Sequence, residues 1–268
     1  MSIADSSTRR PTVLVTGAAK RLGREFCLAF ARAGWNVVCH HNASTTDALE
    51  TKRLVQDLGV ECLLIQQDLA APNAHLALLD ACHSQLHKWP ECIVNNASIF
   101  EEDNAGSTTA EHLQLHFQIN TALPLLLGNA WAQRIANQPP VKTSFSLVHV
   151  LDQKVHNLNP DYFSYTVSKL ALERSVALQA QALAPLVRVC GLSPGLIFLS
   201  GPQSQENFEY ASQVNLLKRP ISPADIARTA VFIAENQSIT GCTIQVDNGQ
   251  HLVPLARDVM FTTPHLQS

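Results

Sequence analysis

Apolar positions along the chain alternate between two patterns. Short runs rich in β-branched and aliphatic residues lie at 12–16, 36–40, 62–66, 92–95, 144–149, 187–192 and 243–246, and each reads as a strand buried on both faces. Between them apolar residues recur with the period of a helix, at 22–33, 46–58, 74–88, 110–136, 163–184 and 223–235. Strand and helix in turn predict βαβ units and an α/β fold: a single doubly wound Rossmann-type domain, a parallel sheet of about seven strands with helices on both faces. No repeat or low-complexity linker divides the chain, so residues 11–268 are assigned to one domain behind a flexible N-terminus, residues 1–10. The stretches 98–107, 151–161 and 195–220 lack either period. Loops that leave strand C-terminal ends line the crevice of an open α/β sheet, so these are predicted site walls.

Composition narrows the partners. With a net charge of −3 and 15% charged residues, the chain has no basic field for nucleic acid or an anionic membrane, which leaves a small-molecule substrate. Seven cysteines, an odd number with no Cys-x-x-Cys pair, read as reduced thiols of a cytoplasmic protein. The polar start has no apolar core of signal-peptide length, and no run approaches a membrane span. Two histidine pairs, His83/His87 and His112/His116, have metal-ligand spacing on a helix. Neither comes with the Glu of a His-Glu-x-x-His motif or an obvious third ligand, so both read as solvated helix histidines and no metal is expected.

The first strand runs into Thr16-Gly17-Ala18-Ala19-Lys20-Arg21-Leu22-Gly23 and then a helix. Gly17 can make the tight turn and Gly23 a close helix packing, while the free N–H groups of the helix start suit a pyrophosphate. The second strand ends His40-His41-Asn42-Ala43-Ser44 with no carboxylate to repel a 2'-phosphate. His40 and Ser44, with Lys20 or Arg21, are candidate donors to one, so NADPH is expected rather than NADH.

Tyr165 and Lys169 stand four apart at the start of a helix, which puts phenol and ammonium on one face. A fixed cation there is expected to lower the Tyr165 pKa toward the working range, so that it exchanges a proton near neutrality. Pro124 has no N–H for the carbonyl of Asn120, which is then free to accept from a water or from Lys169.

Together these residues resemble the short-chain dehydrogenase/reductase family in order and over nearly the whole chain: the glycine turn at 16–23, Asp68 after the third strand, Asn95-Asn96-Ala97, Asn120, Tyr165/Lys169 and Ser193-Pro194-Gly195. The resemblance implies that Asp68 and Leu69 hold the adenine edge. It places Asn96, Ala97 and Ser98 along the cofactor cleft, Pro194 and Gly195 beside the nicotinamide, and His41 and Asn42 near the adenosine ribose. Two departures narrow it. Arg21 replaces the usual middle glycine of the turn, and Asp152 stands where most members have a catalytic Ser. Both are similar to pteridine reductases and dihydromonapterin reductases, as is Asn95-Asn96-Ala97-Ser98-Ile99-Phe100. By that resemblance Ser98 touches a pterin and Phe100 stacks on it, with Leu196 beside it. The resemblance also implies a homotetramer.

The expected activity is NADPH-dependent reduction of a dihydropterin, or of dihydrofolate, to the tetrahydro form. Tyr165 and Asp152 would handle the proton, Lys169 and Asn120 would support them, and Arg21 would bridge phosphate and pterin. The alternatives are reduction of a non-pterin carbonyl and a non-catalytic NADP(H)-binding sensor.

Overall fold

A computed structural model describes residues 10–138, 144–201 and 203–262. Residues 1–9, most of the segment read as a flexible N-terminus, lie outside the described residues. Seven strands form one sheet: β1 (Thr12–Val15), β2 (Asn36–His41), β3 (Cys62–Gln66), β4 (Cys92–Asn95), β5 (Phe145–Val150), β6 (Val187–Pro194) and β7 (Thr243–Val246). All pair in parallel, in the order β3-β2-β1-β4-β5-β6-β7. All seven were predicted, because a parallel strand covered on both faces must be apolar nearly throughout.

Alternate residues serve opposite faces. Val13 and Val15 join one apolar core with Phe26 and Phe30 of α1 (Arg21–Arg32), Val55 of α2 (Thr45–Gln56) and Ile226 and Ile233 of the helix Pro223–Glu235. Leu14 points the other way, to a second core. There it joins Leu78 of α3 (Ala74–Leu86), Leu127 and Trp131 of the helix Leu123–Ala136, and Leu172 and Val176 of the helix Phe163–Leu183. The order reverses between β1 and β4, and their C-terminal ends open the crevice there.

The helix predicted over 110–136 is interrupted. It comprises α4 (Ala110–Phe117), a π-helical turn Gln118–Ala122 in which Leu123 N–H donates to the Gln118 carbonyl, and α5 (Leu123–Ala136). Pro124 removes a donor, and the chain widens one turn around that gap. α6 (Phe163–Leu183) carries Tyr165 and Lys169. A short helix, α7 (Gln205–Ala211), lies in the stretch read as irregular, with Ser204 accepting from Asn207 N–H as its cap, and α8 is Pro223–Glu235. Among the described residues no helix is long and apolar enough to cross a membrane. One histidine reading is corrected: His116 is fully buried rather than solvated, because α4 turns that face toward the body of the protein.

Candidate active site

The turn after β1 is tied to its neighbours through polar atoms. Gly17 is left-handed, with φ +61°, and its N–H donates to Nδ1 of His40 at 3.0 Å. Asn96 donates through Nδ2 to the carbonyls of Thr16 (2.9 Å) and Gly17 (3.0 Å), while Thr16 Oγ1 accepts from the N–H groups of Asn96 and Ala97. A Cβ on Gly23 would overlap the Gly17 carbonyl, so this close packing requires glycine. Asp68 Oδ1 accepts from Ala70 N–H at 2.9 Å and from Asn42 Nδ2 at 3.4 Å.

His40 does not have the role predicted from its position. Both nitrogens are engaged, Nδ1 accepting from Gly17 and Nε2 meeting the Gln67 carbonyl at 2.9 Å, and burial lowers its pKa to about 4. It is a neutral brace between β1 and β3, with neither a free N–H nor a charge to offer a phosphate. His41 is buried and Ser44 precedes α2, and neither borders the cleft that opens beside the turn.

That cleft, about 720 Å³, joins the predicted site walls. Gly17, Lys20, Arg21, Leu22 and Gly23 line one end with His40, Asn42, Asp68 and Leu69. The other end holds Phe100, Asp152, Tyr165, Lys169 and Leu196, with Asn96, Ala97, Ser98, Pro194 and Gly195 also on its wall.

Tyr165 OH donates to Oδ2 of Asp152 at 2.8 Å, and Oδ1 of Asp152 accepts from Lys154 N–H at 2.9 Å. The phenol lies well above its ordinary pKa, first through burial and then through the neighbouring Asp152 charge. This reverses the expected lowering by Lys169, whose Nζ donates to the Val150 carbonyl at 2.8 Å and lies 5.7 Å from the Tyr165 ring centroid. Burial brings the Lys169 ammonium down to about 8. Burial also raises the Asp152 carboxyl, against the opposing pull of Lys154. The phenol is therefore a proton donor held beside an acid that resists ionisation.

Asn120 acts through its side chain. Its Oδ1 accepts from Ser98 Oγ (3.0 Å) and Ile99 N–H (2.9 Å), and its Nδ2 donates to the Ile99 carbonyl and Ser168 Oγ, both at 3.0 Å. Among the described hydrogen bonds Lys169 donates to the Val150 carbonyl, so of the two partners expected for the Asn120 carbonyl, a water or Lys169, it does not meet Lys169. Asn120 instead fastens the loop carrying Ser98 and Phe100 to α6.

Phe100 stacks on Tyr162 with centroids 4.0 Å apart and meets Tyr165 edge-on at 4.7 Å. Arg21 is left-handed, φ +52°; its Nη2 donates to the Leu199 carbonyl at 3.0 Å, and its guanidinium lies 5.3 Å from the Phe198 ring centroid, spanning from the turn to the loop after β6. The far C-terminal segment was not anticipated. Asp258, Val259 and Met260 line the cleft, where Lys154 Nζ pairs with Asp258 Oδ2 at 2.7 Å and Tyr162 OH donates to Met260 Sδ at 2.6 Å. No local signal in the sequence marks these residues, since only folding brings them beside Asp152.

A family model described as Enoyl-(Acyl carrier protein) reductase matches residues 17–251. Pteridine reductase 1 of Leishmania tarentolae is 32% identical, over 92% of this chain and 98% of that protein. Dihydromonapterin reductase of Escherichia coli K12 is 24% identical, over 90% of this chain and 96% of that protein. The crystal structure of FolM alternative dihydrofolate reductase 1 from Brucella canis complexed with NADP superposes with a TM-score of 0.84, at 32% identity over 96% of this chain and 97% of that chain.

The Lys154–Asp258 pair gives the first prediction. Lys154 is 2% exposed, so Asp258→Ala leaves a buried cation with only the neutral Asn159 Oδ1 as acceptor among the described residues and should cost about 3–5 kcal/mol, read as a lower urea midpoint. A midpoint equal to the parent's would show that the pair does not anchor the segment.

Proposed function

We propose that this protein, which belongs to the short-chain dehydrogenase/reductase family, is an NADPH-dependent oxidoreductase that reduces a dihydropterin, or dihydrofolate, to its tetrahydro form. The observation that carries the reading is the 2.8 Å hydrogen bond from Tyr165 to Asp152 in a cleft that Arg21 and Phe100 also line. The pterin and folate reductases it resembles, one of them complexed with NADP, support the same substrate class and cofactor.

The turn suits a dinucleotide. Gly17 is left-handed, Gly23 has no room for a side chain, and α1 starts without a side-chain cap or an acid in its first turn, which leaves its leading N–H groups to an anion. Gly17, Lys20, Arg21, Leu22 and Gly23 would hold the phosphates, and Asn42, Asp68 and Leu69 the adenosine. Asn96, Ala97, Ser98, Pro194 and Gly195 would flank the nicotinamide, and Lys169 would donate to ribose. With His40 uncharged, Lys20, which lies 3.8 Å from Asp47, and Arg21 are the lining cations at this end of the cleft for a 2'-phosphate. When bound, NADPH supplies the hydride.

The chain's own residues handle the proton. Tyr165 would protonate the substrate's ring nitrogen, and Asp152 in its protonated form would return a proton to the phenol, because burial disfavours phenolate. Phe100 and Leu196 supply apolar walls, Ser98 a hydroxyl and Arg21 a cation at the mouth, while Asn120 keeps the Ser98 loop in place.

We further propose a cytoplasmic homotetramer. The reduced cysteines, six buried and Cys242 exposed, are consistent with the compartment, and the exposed Phe117, Leu126, Val167 and Leu178 on α4, α5 and α6 provide subunit contacts. Light scattering should return the mass of four chains, and a monomer at micromolar concentration would reject the assembly.

Two further predictions follow from the chemistry. In an NADPH-oxidation assay, dihydrobiopterin, dihydromonapterin or dihydrofolate should be turned over faster than a panel of ketones. Tyr165→Phe should then lower kcat by roughly 100- to 10,000-fold while NADPH still binds. Tight NADPH binding without oxidation by any of the three substrates would end the reading. The acid form of Asp152 is the active one and its pKa is raised, so kcat/KM should hold on the acid side and fall as pH rises through that pKa. Asp152→Asn should remove this falling limb; an unchanged profile would exclude Asp152 from the relay.

A further inference from the structure

We propose that Glu101, His112 and His116 form a binding site for one divalent transition metal of the zinc class, outside the reducing centre. One potential ligand atom from each residue lies within 4.8 Å of the other two. Around a single tetrahedral ion with bonds near 2.1 Å such atoms would sit about 3.4 Å apart, so small side-chain rotations close the set. α4 presents the two histidines one turn apart, with ring centroids 4.5 Å from each other, and Glu101 reaches them from the loop after β4.

The hydrogen bonds engage Nδ1 of both imidazoles, which leaves each Nε2 as the candidate ligand atom. His112 Nδ1 is held by Asp103 Oδ2 at 3.1 Å, and His116 Nδ1 by the His112 carbonyl at 3.0 Å. A ring whose Nδ1–H donates presents its lone pair at Nε2, which is how an outer carboxylate or carbonyl orients a metal-bound histidine. His112 Nε2 faces Glu101 Oε2 at 2.9 Å, where a metal ion would replace the shared proton. His116 is fully buried, and its Nε2 has no hydrogen-bond partner among the described residues. A buried nitrogen left without a partner is costly, and a metal ion at this point would satisfy it. Two imidazoles and one carboxylate are a borderline donor set that suits zinc rather than magnesium or calcium, and three protein ligands leave the fourth position to water.

The site would act as a clamp. Glu101 follows Phe100 directly, and Asp103, which orients His112, also accepts from Ser164 N–H at 3.0 Å, one residue before Tyr165. An ion here would pin the Phe100 loop to α4 and to the start of α6.

The test uses the full chain after treatment with a chelator, titrated with Zn²⁺ by calorimetry and with Co²⁺ by visible absorption. One equivalent should bind, with cobalt d–d bands and no thiolate charge-transfer band. Glu101 is exposed, so Glu101→Ala should fold normally, and together with His112→Ala it should weaken binding at least as much as the roughly 10- to 100-fold typical of losing an outer partner. The proposal is overturned by the absence of stoichiometric uptake, by a thiolate band that points to Cys242, or by unchanged affinity in both variants.

Discussion

Phenol and carboxyl share a hydrogen bond within the crevice, and much of the surrounding structure serves to keep them together there. A parallel sheet covered on both faces leaves polar side chains room only at its strand ends, so Tyr165, Asp152 and Lys169 meet beyond the C-terminal end of β5. Because all three are buried, each takes the state its neighbours allow. Burial opposes phenolate at Tyr165, carboxylate at Asp152 and ammonium at Lys169 alike. The hydrogen bonds of Asn120, the Lys154–Asp258 pair and the Phe100–Tyr162 stack then fix the walls around them.

The fold was legible because its signals are local. β-Branched runs and helical periods located every strand and each of the longer helices, and the motif spacings placed Gly17, Gly23, Tyr165 and Lys169 at the ends of the right elements. Where reading failed, the deciding term was tertiary. Spacing put a cation one turn from Tyr165 but could not show that Lys169 turns to the Val150 carbonyl while Asp152 takes the phenol. A strand apolar on both faces does not reveal which way His40 points, and inward burial made it a neutral brace. Pro124 announced a lost donor in a helix, yet only packing against α6 decides that the chain answers with a π turn. Asp258 and Met260 join the site through folding alone, and α7 is too short to show a helical period.

The exchange of serine for Asp152 is easier to understand in this setting. A serine hydroxyl can orient a carbonyl but is far too weak an acid to give up its proton. A carboxyl is a much stronger acid, burial raises its pKa from the ordinary carboxylate range, and it lies 2.8 Å from the phenol it would recharge.

The protonation of the pair also sets which half-reaction it is ready to begin. A low-pKa tyrosine would be poised as a base to take a proton from an alcohol during oxidation. Tyr165 is held well above its ordinary pKa, first by burial, while Lys169 is turned to the Val150 carbonyl. A site that begins with its protons bound is prepared to give them up. The acceptor that best matches such a donor is a ring nitrogen that becomes strongly basic only as hydride arrives on the adjacent carbon.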